Sequence, residues 1–297
     1  YRKLINSFYA AVKSVDPSNV VIAAGLGPLG LPQQTIFPLK FARELLCMTG
    51  GAQNPRKGKG NCEGGVHFDV FDMHPYTSGG PTHEGGGDNV ELGDIPKLQK
   101  LLRAADRAGR IKSNLYKRTP LWIIEMSWDT NPPDPNGISY KLASQWIPEA
   151  LYRSWKAGVD HFFWFTIVDF DPEGKGPKGN IEAGFYLWNP NVAAQQPKPT
   201  IKAFRFPFVA LREGKGLMVW GRTPTSRGGM VRIEAKQGGG WKTLRTLRAA
   251  GNGIFTTVLG TSYGKDRKGA VRATYLGESS PAFTMNPVGD KFAYPFG

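Results

Sequence analysis

Leu4, Ile5, Phe8, Val12 and Val15 fall at helical spacing, so the chain opens inside an amphipathic helix from Tyr1 to Val15 that Asp16-Pro17-Ser18-Asn19 ends. The run Asn19–Gly25 is continuously apolar and β-branched, the pattern of a strand covered on both faces in a parallel sheet. A helix is predicted over Leu39–Met48 and a second strand over Val66–Tyr76. A helix follows Asp94, a candidate N-cap with Pro96 in the first turn, and buries Leu98, Leu101, Leu102 and Ala105. Pro120–Met126 reads as the third strand. Tyr140–Ala157 is a helix burying Trp146, Ile147, Ala150 and Leu151, with Pro148 kinking it or near its start. His161–Phe170 is the fourth strand and Thr200–Leu211 the last helix.

Alternation of strand and helix at this pitch suits right-handed crossovers and predicts an α/β fold with a parallel sheet. Beyond about Glu213 the pattern changes. Short strands at Gly216–Thr223, Met230–Lys236, Trp241–Ala249, Gly253–Gly260, Ala270–Gly277 and Ser280–Met285 are separated by Gly-rich turns, which predicts a small immunoglobulin-like β-sandwich. Residues 1–212 therefore form one expected domain and residues 213–297 a second.

Two α/β architectures compete, a doubly wound sheet with a crevice for a nucleotide and a (β/α)8 barrel with its site at the strand C-termini. The segment Gly25-Leu26-Gly27-Pro28-Leu29-Gly30 follows a strand, but its prolines and spacing do not make a dinucleotide fingerprint, and no cofactor is expected. The strand ends favour the barrel. They carry His74 and Tyr76, then Glu125 and Trp128, then Trp164 and Asp169, all on one rim if the strands are parallel. Carboxylates, an imidazole, a phenol and indoles on one rim suit a sugar site.

Those residues carry a resemblance. The stretch WIIEMSWDT (Trp122–Thr130) resembles the seventh strand of clan A glycoside hydrolases, DMHPY (Asp72–Tyr76) the end of their sixth, WFTIVDF (Trp164–Phe170) their eighth, and Tyr1–Gly25 their fourth helix and fifth strand. The closest relatives look like the cellulase-like and xylosidase-like families, such as families 5 and 39. The resemblance covers roughly Tyr1 to Leu211 and implies the C-terminal half of a TIM barrel, strands 5 to 8, followed by the sandwich. It implies a retaining mechanism with Glu125 as nucleophile and a second carboxyl group about 5 to 5.5 Å away as acid/base. Tyr76 would donate to Glu125, and His74 would position it or bind a sugar hydroxyl, while Trp128, Trp164 and Asp169 would bind substrate.

Each residue also has a plainer reading: Glu125 as a strand-end carboxylate paired with a basic residue, His74 as a histidine packed on Pro75, Trp164 as core, and Asp169 as a loop carboxylate. One departure is large. The family's acid/base Glu lies in an Asn-Glu motif before the fourth helix, and these 297 residues contain no Asn-Glu dipeptide. A barrel takes about 250 residues, so the chain is expected to be a fragment, inactive by itself, of a parent expected to be monomeric. The chain also starts at Tyr1 without an initiator Met.

Charge modifies this little. The 38 Lys and Arg against 24 Asp and Glu leave a formal net charge of +14, but basic residues are spread along the chain with modest concentrations at Asn54–Asn61 and in the last third. No nucleic-acid motif accompanies them, so nucleic acid is not the expected partner. No run approaches the roughly 20 apolar residues of a membrane span. Cys47 and Cys62 flank a Gly-rich loop at a spacing a disulfide can close, with two free cysteines as the plainer reading; a bridge would point to an extracellular, secreted location. The His74, His83, Glu84 and Asp88 spacing fits no metal signature, and His74–Asp94 reads as a flexible loop over the site. Besides the glycosidase, a catalytically lapsed carbohydrate-binding relative and a basic polyanion-binding module remain as alternatives.

Overall fold

The computed structural model describes residues 1–58, 62, 64–172, 181–213, 216–260 and 269–285. Lys59–Asn61 of the basic stretch lie outside them. The chain is mixed α/β and forms two compact units, Tyr1–Ser127 with Ser154–Phe165, and Trp128–Arg153 with Thr166–Gly297.

The first unit is built on four strands, β1 (Ile22–Leu26), β2 (Val70–Met73), β3 (Leu121–Ile123) and β4 (His161–Phe162), all parallel and ordered in space as in sequence. Helices α1 (Arg2–Val15), α2 (Pro38–Leu45) and α3 (Ile95–Arg107) lie between or before them in the chain. The register puts Ala23, Phe71, Leu121 and Ile123 on one face, each buried to 1% exposure or less. The apolar stripe of α3, Leu98, Leu101, Leu102 and Ala105, is equally enclosed. Each such Leu contributes about 1.5–3 kcal/mol. On the opposite face Asp72 aligns with Trp122 and Trp122 with His161, and this side is partly open, with Ile22 39% exposed. Helix α1 buries Ile5 and Tyr9 but leaves Leu4, Phe8 and Val15 largely exposed.

The strands are shorter than the apolar runs suggest. Val66–Tyr76 contains a two-residue ladder at Val66–His67 and then β2, and His161–Phe170 pairs only at β4. Asp94 precedes α3 but makes no cap with its side chain; its carboxylate accepts from the Gly85 and Glu91 N–H groups instead. Cys47 and Cys62 are joined by a disulfide with Cα atoms 6.2 Å apart. Among the described residues no helix is long and apolar enough to cross a membrane.

The helix α4 (Tyr140–Ala157) matches its expected span and holds Pro148 internally. In the second unit α5 (Thr200–Arg205) is shorter than expected. Pro207 has no N–H to donate and disfavours helical backbone at Phe206, so the chain leaves the helix. Phe208–Glu213 becomes β5, paired antiparallel with β6 (Gly216–Arg222). The pattern break near residue 212 thus falls between two paired antiparallel strands, and the β region starts at Phe208. With β9 (Ile254–Leu259), β5 and β6 make a three-stranded sheet; β7 (Gly229–Gln237), β8 (Gly240–Ala249), β10 (Ala270–Tyr275), β11 (Glu278–Ser279) and β12 (Phe283–Thr284) make another. Phe208, Val219 and Phe255 from the first sheet and Val231, Ile233, Val271 and Ala273 from the second share one core.

Candidate active site

Glu125 stands two residues past the end of β3, with its side chain 35% exposed. The backbone around it is tied on both sides. Asp72 Oδ1 accepts from the Ile124 N–H at 3.2 Å. The Phe163 and Phe165 N–H groups donate to the Ile123 and Met126 carbonyls, which runs half-buried Trp164 alongside the Glu125 segment. The first unit therefore brings four sequence-predicted residues, His74, Tyr76, Glu125 and Trp164, to neighbouring strand ends.

Side chains complete the arrangement. The Tyr76 hydroxyl donates to Glu125 Oε2 at 3.2 Å, and His74 Nδ1 lies 3.5 Å from the same oxygen. His74 Nε2 is 2.9 Å from Asp72 Oδ2, and the Asp72 side chain is 1% exposed. A carboxylate so enclosed needs hydrogen-bond partners, which the imidazole and the Ile124 N–H supply. Asp72, His74 and Glu125 thus form a carboxylate–imidazole–carboxylate series, with Tyr76 fixing its outer end. Glu125 Oε1 has no hydrogen-bond partner among the described residues, and the side chain is 35% exposed. Among those residues no Lys or Arg pairs with Glu125, and the basic group that faces it is His74.

Asp72 was not singled out from the sequence. The available signal was its place two residues before His74, where strand alternation puts both on one face. Beside it, β1 carries a register shift between Ala24 and Leu26, and Gly25 there has φ +64°, a conformation side-chain-bearing residues rarely adopt.

Burial lowers the affinity of His74 for its second proton, but the hydrogen bond and charge of Asp72, with the charge of Glu125, outweigh it and raise its pKa above 6.5. A raised imidazole contributes stability that is fully present below its unfolded value and lost as pH rises through the folded value. Native protein should therefore lose thermal stability relative to His74→Gln as pH is raised from below 6.5 into the alkaline range. Melting curves that stay parallel across that range would remove the imidazolium from the site.

The stretch after Tyr76 is not a free lid. Buried Glu91 accepts from Thr77 Oγ1 at 3.0 Å, from the Ser78 N–H at 3.2 Å and from Ser78 Oγ at 3.0 Å, while Asp94 binds Lys97 and the backbone at Gly85 and Glu91. Two enclosed carboxylates pin the loop that was expected to be flexible. Among the described residues no three His, Cys, Asp or Glu side chains converge as a metal site. A cavity of about 430 Å³ lined by Tyr9, His67, Lys112 and Asn114 lies by the N-terminal ends of the strands, away from Glu125.

Two sequence expectations need correction, both in the second unit. Trp128 is 0% exposed and packs on Trp146 with ring centroids 5.3 Å apart, so it is a core residue and offers no face to a sugar. Asp169 is 4% exposed and its Oδ1 binds Lys198 Nζ at 2.6 Å and the Gly184 N–H at 2.9 Å. Lys198, completely buried, also donates to the Glu182 carbonyl at 2.7 Å and to Thr130 Oγ1 at 3.0 Å. Gly184 is obligatory, since a Cβ there would stand 2.3 Å from the Asp169 nitrogen. Asp169 is thus consumed in holding loops together. Burial pushes its pKa up and that of Lys198 down, each against the attraction of the other.

No family model matches this chain, and no curated protein matches it. Solved structures that match include a β-glucuronidase of Bacteroides uniformis (12% identity, TM-score 0.37, covering 96% of this chain and 31% of that one). Another is a β-porphyranase of glycoside hydrolase family 86 from Bacteroides plebeius (11% identity, TM-score 0.37, 87% and 50%). A third is a xyloglucanase of glycoside hydrolase family 44 from Paenibacillus polymyxa (12% identity, TM-score 0.32, 86% and 57%). The chain thus spans from about a third to just over half of the length of these structures. All three neighbours are glycoside hydrolases.

Proposed function

We propose that this chain carries the nucleophile half of a retaining glycoside hydrolase acting on O-glycosidic bonds of a polysaccharide or oligosaccharide. The observation behind it is Glu125 at a strand C-terminus, held through one oxygen by a phenol and facing an imidazole, with the other oxygen open. Glu125 attacks the anomeric carbon, and a glycosyl ester forms as the leaving group departs with a proton from a second carboxyl group. Water then hydrolyses the ester with that group acting as base. Tyr76 and His74 keep Glu125 in the attacking orientation, and Trp164 contributes an indole beside it. We assign the acid/base to a part of the parent protein upstream of Tyr1, and the location to an oxidising compartment where the Cys47–Cys62 bridge persists.

The same proposal reads the four strands as strands 5 to 8 of a (β/α)8 barrel and the second β region as an immunoglobulin-like domain. Sequential parallel strand order supports it. So do the edges of the sheet, where β1 and β4 have no further strand beside them among the described residues, and the exposed Leu4, Phe8 and Val15 of α1. Open edges and apolar faces invite association. The test compares this chain with the parent: the chain should self-associate or bind a hydrophobic dye and lack general-acid assistance, commonly worth 10²- to 10⁴-fold, whereas the parent should be monomeric and active on aryl β-glycosides. A monomeric chain with turnover equal to the parent's would sink both the barrel and the missing acid/base.

A further inference from the structure

The five-stranded sheet of the second unit turns Val231, Ile233, Ala235, Val271 and Ala273 into the core. Its register determines what the other face presents. Met230 stands opposite Arg248, Arg232 opposite Thr246, Glu234 opposite Thr243 and Lys236 opposite Trp241, while on the far side Arg232 faces Thr274 and Glu234 faces Arg272. Alternate residues share a face. Among the described residues Arg232, Lys236, Arg248 and Arg272 therefore collect on one surface against a single carboxylate, Glu234, which lies 2.8 Å from Arg272 Nε and 3.8 Å from Arg232 Nε. Arg232, Lys236, Arg248, Thr243 and Thr246 are all exposed.

Like charges side by side on a sheet cost stability, and one buried carboxylate does not balance four cations. The face is a strip: from the Met230–Arg248 pair to Lys236 is six residues, about 20 Å at strand rise. Hydroxyls of Thr243 and Thr246 lie between the cations, and the Arg272 guanidinium is 4.2 Å from the centroid of the Trp241 ring. With that indole covered on one side by Arg272, the strip lacks the row of open aromatic faces on which single-stranded nucleic acid stacks.

We propose that this face binds an acidic polysaccharide, sulfated or uronate-bearing, its anionic groups meeting Arg232, Lys236 and Arg248 and its hydroxyls meeting the threonines. The positive strip stands on its own; the choice of a saccharide as its occupant rests on the proposed glycosidase reading. The test uses the full chain with dextran sulfate, neutral dextran and single-stranded DNA as probes, by calorimetry at two salt concentrations. Arg232→Ser, Lys236→Ser and Arg248→Ser combined remove exposed charge without touching the core, and unchanged melting and circular dichroism verify that. The native chain should prefer dextran sulfate to both other probes, and the triple variant should bind it about tenfold or more weakly with a shallower salt dependence. Equal binding by the variant would overturn the site, equal binding of neutral dextran would overturn the role of charge, and DNA bound as tightly as dextran sulfate would overturn the saccharide assignment. Turnover of a small uncharged glycoside by the parent carrying the triple change should be unaltered, so a failed glycosidase reading shows in that assay and a failed binding face in the calorimetry.

Discussion

Glu125→Gln in the proposed parent glycosidase should reduce turnover by on the order of 10⁴- to 10⁶-fold, the range that follows removal of a nucleophile or the base that activates it. The amide keeps the shape of the side chain and still accepts the Tyr76 hydroxyl, so folding and melting temperature should be nearly unchanged. Its oxygen no longer attacks an anomeric carbon. Glu125→Ala leaves a space where a small anion such as azide can enter, and azide should restore part of the turnover with a product of inverted configuration, because attack then comes once rather than twice. Turnover by the Gln variant within a few-fold of the native rate would refute the assignment, and the Asp72, His74 and Tyr76 arrangement would then be structural.

Lys198→Met should destabilise the second unit by about 3–5 kcal/mol, because it leaves the Asp169 carboxylate buried without its cation. For a domain of this size that is a fall in melting temperature on the order of 10 °C. The sign of the pH dependence follows from the pair. Burial already raises the Asp169 pKa against the pull of Lys198, and losing the lysine raises it further. A carboxyl group whose folded pKa lies above its unfolded one binds its proton more readily in the folded state, so the loss should shrink as pH falls through that folded value. Adding Asp169→Asn to Lys198→Met should recover much of the loss, since the remaining groups are neutral. A single variant as stable as the native chain, at neutral pH, would mean that water or a neighbour takes the place of the ammonium group.

Much of the architecture was legible in the chain. Helical spacing from Leu4 to Val15, the continuous apolar runs of β1 and β3, and the shift to short strands separated by glycines are local patterns, and local patterns report which face of an element is buried. Glu125 drew attention for the same reason, as a charge closing a run of apolar residues. Strand lengths were less legible, because a run buried on both faces reads as strand whether or not a neighbour supplies hydrogen bonds along all of it. Pro207 lies inside the run Thr200–Leu211 that reads as one helix, and the change from helix to strand after it depends on β6 pairing with Phe208–Glu213.

What the sequence by itself determined is therefore the order of the elements, their type up to Phe206, and the chemical character of the strand ends: a carboxylate, an imidazole, a phenol and an indole. Tertiary structure decided which of them meet. It joined Asp72 to His74 and His74 to Glu125 across two strands, and it withdrew Trp128 into a core and gave Asp169 to Lys198, a residue 29 positions away in sequence. The reason is physical. Periodicity assigns a residue to a face, whereas exposure and charge partners depend on segments far apart in the chain that approach only when the core closes, and an enclosed charge such as Asp169 or Asp72 then takes whichever partner that closure brings within hydrogen-bond reach.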